Sequence, residues 1–439
     1  MIYTSMNHRQ STKFAGYWQV ALAAMITFSV GMSYGAYAML IEPLAQRLGC
    51  SLTAAGLPAT FENIACFTTG LLISGWLIER WTARRCMLIN AFITIFFVAS
   101  YAYIPSIPLL CGWEAITGAS MAFGFTTALS AFVRKWFISR REAVLGVALA
   151  SNGLGAAAGV WLFTFLESNF GIDLACGSFA GIGFFCVLLG LIALRDPEQI
   201  GQKPFGWETM QSLPASTEQK ATDAFGISFQ AALRTPSLYL IMSSCMLCCM
   251  SMVMSPYFAT ILLTNGVEKM QAANYATVNQ LALAISSVAF GSVTAKYGEK
   301  FFVIVALGGA TMGLAALGGW LAFPSASGLI LAAAVFLGGG FCIGNTYGPI
   351  VTTKVFGNKC YDRVIPLIYA MRGIGLALGV LLMPSLAEKQ GNWAISVIVG
   401  IGTMIIAIVL GLLGVHLAPM KNARDSEKQT FNQKEGTLL

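Results

Sequence analysis

Apolar residues run through this chain in long, nearly unbroken stretches separated by short polar breaks, rather than in amphipathic stripes. A membrane-crossing helix needs about 20 mostly apolar residues. Twelve such stretches can be read, near 17–41, 54–77, 85–103, 107–131, 143–167, 174–194, 236–263, 271–295, 301–322, 327–352, 363–387 and 393–416. The longest polar interval, 196–234, is rich in Pro, Gln, Glu, Lys, Ser and Asp and divides the stretches six and six. The pattern predicts an all-α membrane protein of twelve transmembrane helices in two pseudo-symmetric six-helix bundles. The divisions are 1–195, a linker 196–234, a second bundle 235–420 and a tail 421–439.

Composition agrees. Of 439 residues 56% are hydrophobic and 10% charged, too few charges to cover a soluble protein of this size, so the solvent for most of the chain is a lipid bilayer. The net charge of +7 is dispersed between apolar stretches, which speaks against a nucleic-acid-binding face. Of the 26 Lys and Arg residues, Arg47, Lys269 and Lys389 fall in loops on one side and Arg372 within a stretch; the others lie on the opposite side. The positive-inside rule then places both termini in the cytoplasm of a cell (inner) membrane, and no signal peptide is expected. Trp18 and Trp393 read as interfacial belt residues, and Cys245, Cys248 and Cys249 as small apolar residues of a span rather than a metal or redox site. No P-loop is present, and the histidines His8 and His416 are peripheral, so no enzyme activity, metal or cofactor is expected.

A repeat supports the division. Gly75-x-x-x-Glu79-Arg80 followed by Arg84-Arg85 ends the second stretch; Gly291 and Lys296 followed by Gly298 and Lys300 end the eighth. These segments resemble the duplicated loop signature G-x-x-x-D-R-x-G-(x)-R-R of the major facilitator superfamily, with Glu79 for Asp, Thr82 where Gly is usual, and Ala295 at the acidic position of the second copy. The resemblance implies a gating loop in each half. Within the superfamily, Trp136-Phe137 with Arg140-Arg141, Ala143 and Gly146, followed by Gly153, Gly155 and Gly159, looks like the monocarboxylate and oxalate/formate antiporter branch. The segments Arg195-Asp196-Pro197 and Arg234-Thr235-Pro236 look like that branch as well.

Three ionisable side chains sit well inside stretches: Glu62, Glu114 and Arg372. Each costs about 2.5–3.5 kcal/mol at a helix centre, so each is expected to face the bundle interior or a water-filled path. Glu62 shares a face with Ala59, Asn63, Cys66 and Gly70. Glu114 stands where a superfamily motif of the fourth helix usually has Arg. In the oxalate/formate antiporters a cation of helix eleven binds the substrate carboxylate, a role the resemblance gives to Arg372. The matching cation of helix eight is missing, since Asn279 and Gln280 are the polar residues inside that stretch. Proline next to Tyr257, and Asn345 near Pro349, mark broken helices that could open backbone toward a cavity.

The expected function is a secondary active transporter of a small organic anion, a mono- or dicarboxylate, working as proton symporter or exchanger against a counter-anion. Arg372, Tyr34, Tyr257 and Asn345 would bind substrate, and Glu62 and Glu114 would carry the proton. Three readings of the charges stay open: carboxylate binding by Arg372, a structural ion pair between Arg372 and one Glu, and a cationic substrate held by the two Glu. Proton-coupled efflux of amphipathic compounds and a transporter-like sensor are the alternatives at the level of function. The lack of a Gly-Pro motif at Ala157-Ala158-Gly159 and the central Arg speak against efflux.

Overall fold

The computed structural model describes residues 14–101, 103–137, 141–206, 226–341, 347–348, 351–352, 355–357 and 359–419; at 75, 79, 141–143, 291–296 and 361–362 it describes backbone alone. Asn345 therefore lies outside the described residues, as do the side chains of Gly75, Glu79, Gly291 and Lys296.

The first half contains α1 (Gly16–Leu48), α2 (Leu52–Leu72), α3 (Ser74–Trp81), α4 (Ala83–Ser100), α5 (Ile107–Gly124), α6 (Thr126–Trp136), α7 (Arg141–Phe170) and α8 (Ile172–Ala193). After the short α9 (Pro197–Ile200) and α10 (Phe229–Leu233), the second half contains α11 (Pro236–Met252), α12 (Phe258–Thr264), α13 (Lys269–Tyr297), α14 (Glu299–Ala322), α15 (Ser327–Phe341), α16 (Tyr361–Gln390) and α17 (Ala394–His416). Among the described residues, eight helical segments are individually long and apolar enough to cross a membrane. Several crossings are broken or bent. The second breaks at Ile73 between α2 and α3, and the fourth bends at Phe125 between α5 and α6. The seventh breaks over 253–257, where Pro256 removes a backbone donor. The result is the expected twelve-helix, two-bundle membrane fold.

The first crossing is longer than its apolar stretch because α1 continues through Pro43 to a left-handed Gly49 cap, φ 58°. Its tightest partner is α7. A Cβ added at Gly31 or Gly35 would run into the carbonyls of Asn152 and Ala156, and one at Gly155 or Gly159 into those of Phe28 and Met32. Each helix thus offers glycines to the other's backbone, a contact that only small residues allow in lipid.

The linker begins and ends as part of the bundles. Phe205 N–H donates to Trp136 O at 2.8 Å and Ala15 N–H to Gln202 Oε1 at 2.9 Å, while Ile227 N–H donates to Phe356 O at 3.1 Å. At its start Asp196 opens α9 with a capping box to Gln199.

The halves meet most firmly at the end of the bundle away from the termini. There Glu388, at the end of α16, accepts from Thr53 N–H at 2.8 Å and Thr53 Oγ1 at 2.7 Å, at the start of α2. Lys269 of α13 pairs with Glu167 of α7. One buried apolar cluster crosses the halves at this far end, joining Met39, Leu40 and Leu44 to Tyr257, Phe258 and Ile261. The cluster nearer the termini, with Val20, Phe132, Trp136 and Leu194, stays within the first half. Trp393 belongs to the shared far-end packing: it is 3% exposed and its Nε1 donates to Thr264 Oγ1 at 3.1 Å. It is not the interfacial belt residue expected from sequence, whereas Trp18 is exposed.

Candidate functional site

Two carboxyl groups and a cluster of phenols face one another in the first half. Glu62, buried on α2, accepts a hydrogen bond of 2.6 Å from Tyr34 Oη on α1, and that hydroxyl also lies 3.2 Å from Met121 Sδ on α5. Glu114 on α5 is 1% exposed; its Oε1 accepts from Tyr101 Oη at 3.3 Å, and its Oε2 has no partner. One turn beyond Glu114, Gly118 brings the α5 backbone against the carbonyl of Glu62, where a Cβ would not fit. That contact sets the two acidic turns side by side, and the carboxylates lie within electrostatic reach of each other. Tyr37 on α1 packs edge-on to Tyr101 with ring centroids 5.6 Å apart, and its buried hydroxyl faces that of Tyr101 without the geometry of a hydrogen bond.

The second half contributes one cation. Arg372 of α16 is half-buried, and its buried Nε has no hydrogen-bond partner. The next residue, Gly373, packs on Phe67 and Asn63 of α2, so the guanidinium stands at the seam between halves, within electrostatic reach of Glu62 and Cys66. Gly375 and Gly379 lie against the Met246 and Met250 backbone of α11. Among the described residues no carboxylate comes within 4.0 Å of Arg372, so the structural ion pair is not formed here. Cys245, Cys248 and Cys249 of α11 are buried in the apolar core behind it.

Tyr257, on the break between α11 and α12, is 2% exposed and reaches across to Gly56 of α2, with its hydroxyl unpartnered. Asn279 plays another part. It is locked into packing, accepting from Ser255 Oγ at 2.8 Å and donating to Ala334 O at 3.2 Å. The structure thus brings Tyr34, Glu62, Glu114, Arg372 and Tyr257 to one region and adds Tyr37, a secondary aromatic candidate of the first stretch, and Tyr101, which sequence reasoning left out. Tyr101 ends a helix, where an aromatic residue reads as interfacial, and only the tertiary fold turns it inward.

At the termini-side end, Arg80 stacks over the Trp76 ring, 5.4 Å from its centroid. Arg84 donates to Leu191 O at 2.8 Å, tying α4 to α8, while Arg85 and Lys300 are exposed. Thr82, where the superfamily signature has Gly, adopts φ 71° and ψ 147°; its counterpart Gly298 has φ 85°. The backbone of both loops thus requires a conformation that glycine adopts freely and a β-branched residue only under strain.

Comparison with known proteins agrees with this architecture. The family model described as Major Facilitator Superfamily matches residues 23–317 and again 240–437. A crystal structure of a mutant of the nucleoside transporter NupG superposes with a TM-score of 0.68 at 14% identity, covering 91% of this chain and 99% of that one. At that identity the likeness carries the fold. No curated protein matches the chain. The two overlapping family matches, which together span residues 23–437, and the duplicated loops place this multi-pass membrane protein in the major facilitator superfamily of transporters.

Proposed function

We propose that the protein is a secondary active transporter of a small organic anion, by alternating access of the halves 1–195 and 235–420 around the seam that holds Arg372. The observation that carries this reading is a guanidinium inside the membrane whose buried Nε is unpartnered. A desolvated cation in that position is costly unless a counter-charge arrives, and a carboxylate supplies it with charge-assisted hydrogen bonds. Glu62 stands opposite as the group that senses whether Arg372 is occupied. Glu114, within reach of Glu62 and further from the cation, is the better proton carrier. Proton symport and exchange for a counter-anion are both compatible with this set. The distribution of Lys and Arg supports cytoplasmic termini and a linker 196–234 in a cell membrane.

The cargo of NupG does not transfer: a nucleoside is uncharged and gives Arg372 no counter-ion. Efflux of amphipathic compounds fits poorly with a seam crowded by polar groups. The reading is tested by counterflow of labelled mono- and dicarboxylates into proteoliposomes, with Arg372→Lys and Arg372→Ala beside the parent. Saturable exchange lost in both variants is the expected result. Exchange of every tested anion unchanged in Arg372→Ala refutes it.

A further inference from the structure

Three unpartnered polar groups of the site are not explained by anion binding alone. Glu114 Oε2, Tyr37 Oη and Tyr257 Oη are buried and make no hydrogen bond, and Glu114 and Tyr257 are 1% and 2% exposed. They come from both halves: α5, α1 and the α11–α12 break. Tyr37 lies within electrostatic reach of both Glu114 and Tyr257, so the three form one cluster. A buried polar group left unpaired costs about 1–3 kcal/mol, so three together are tolerated only where something meets them.

The cluster is offset from Arg372 along the bundle. Gly373, beside the arginine, packs at Asn63 and Phe67 of α2, whereas Tyr257 Oη meets Gly56. At 1.5 Å rise per residue, the seven residues from 56 to 63 put roughly 10 Å between these levels, before the side chains lean toward one another.

We propose that the substrate is a hydroxylated monocarboxylate of about sugar-acid length, its carboxylate on Arg372 and its distal hydroxyls on Glu114, Tyr37 and Tyr257. This deepens, and rests on, the organic-anion reading above. A hydroxyl fits the cluster because it donates to Glu114 Oε2 and accepts from a phenol in the same contact. An ammonium fits worse: it can donate to Glu114 Oε2 and the phenol oxygens, but it accepts nothing from the two phenol O–H groups. Each carboxylate already accepts one phenol, at Oε1 of Glu62 from Tyr34 and at Oε1 of Glu114 from Tyr101, so the cluster leaves it one open carboxylate oxygen, Glu114 Oε2. A second carboxylate fits worst, since it would face Glu114 and Glu62 across the cluster.

The test is direct binding to the purified full chain by calorimetry at fixed pH and salt. Its probes share one chain length: hexanoate, 6-hydroxyhexanoate, 6-aminohexanoate and adipate, with gluconate as the fully hydroxylated member. The expected result is that 6-hydroxyhexanoate and gluconate bind at least about tenfold more tightly than hexanoate, the scale of one well-made buried hydrogen bond. In the double variant Tyr37→Phe/Tyr257→Phe that gap closes to within about twofold. Equal affinity of hexanoate and 6-hydroxyhexanoate in the parent overturns the hydroxyl inference and leaves the anion reading standing. Tighter binding of 6-aminohexanoate or adipate overturns it in favour of a zwitterion or a dicarboxylate. No binding by any of the acids, with the parent folded, overturns it together with the anion reading.

Discussion

The far-end clasp can be converted into a conformational equilibrium. Glu388 binds the first turn of α2 through Thr53 N–H and Thr53 Oγ1, where the helix N-terminus carries partial positive charge, and Lys269 pairs with the mostly buried Glu167. Glu388 is exposed, so its contribution is discounted for solvent to about 0.5–1 kcal/mol; the Glu167 pair, with Lys269 only about one-third exposed, adds a similar amount. Both contacts join the two halves, so they stabilise the far-end-closed arrangement and vanish when it opens. Replacing both acids, Glu388→Gln with Glu167→Gln, removes about 1–2 kcal/mol and shifts the closed-to-open ratio roughly 5- to 30-fold. Cys66 reports on this, since it lies half-buried beside Glu62 and Arg372 behind the clasp. In a Cys50→Ser background, a membrane-impermeant maleimide applied from the clasp side should label Cys66 at least fivefold faster in the double variant. Raising the ionic strength should narrow the difference by screening the exposed pair. A labelling rate within twofold of the parent, in protein that elutes as a folded species, refutes the idea that these contacts hold the far end shut.

Other outcomes follow from local geometry. Thr82→Gly should stabilise the protein by about 1 kcal/mol, since it relieves a non-glycine residue at φ 71°; a lower midpoint of unfolding in detergent would contradict the strain. Gly118→Ala should destabilise it by about 1–3 kcal/mol, read in the same melt, because its Cβ meets the Glu62 carbonyl and must push α5 from α2. Cys50, in the turn between α1 and α2, has its thiol pushed above the usual value by burial. Its thiolate is therefore scarcer than a free cysteine's at neutral pH. Maleimide labelling there should be slower than that of a free thiol and rise about tenfold per pH unit through the neutral range, as stopped-flow mixing can measure.

What could be read from sequence divides along a physical line. Glu62, Glu114 and Arg372 stand out because a charge in an apolar stretch is expensive whatever its partners, so the signal is local. The duplicated loop was legible for the same reason, down to the oddity of Thr82, whose φ shows why glycine is usual there. Pairing is not local. Nothing in the residues themselves says that Thr53 meets Glu388 across 335 positions, or that Tyr101 turns inward to Glu114. Trp393 misled because an aromatic residue at a helix start looks alike whether lipid or a neighbouring helix covers it. Asn279, from sequence simply a polar residue in a stretch without charge, bridges Ser255 and Ala334, a pairing the residues alone do not show.

The interlock of α1 with α7 also bears on how the chain is made. Gly31 and Gly35 wait for Asn152 and Ala156, more than a hundred residues downstream. When α1 first leaves the insertion machinery its partner does not yet exist, and the face bearing Gly31 and Gly35 has only lipid or another protein beside it. During synthesis at roughly 5–20 residues per second, that interval lasts on the order of ten seconds. An early helix built to fit a late one keeps its glycine face unpaired until the fifth crossing arrives, so Gly31 and Gly35 bear on the order of assembly as well as on the finished packing.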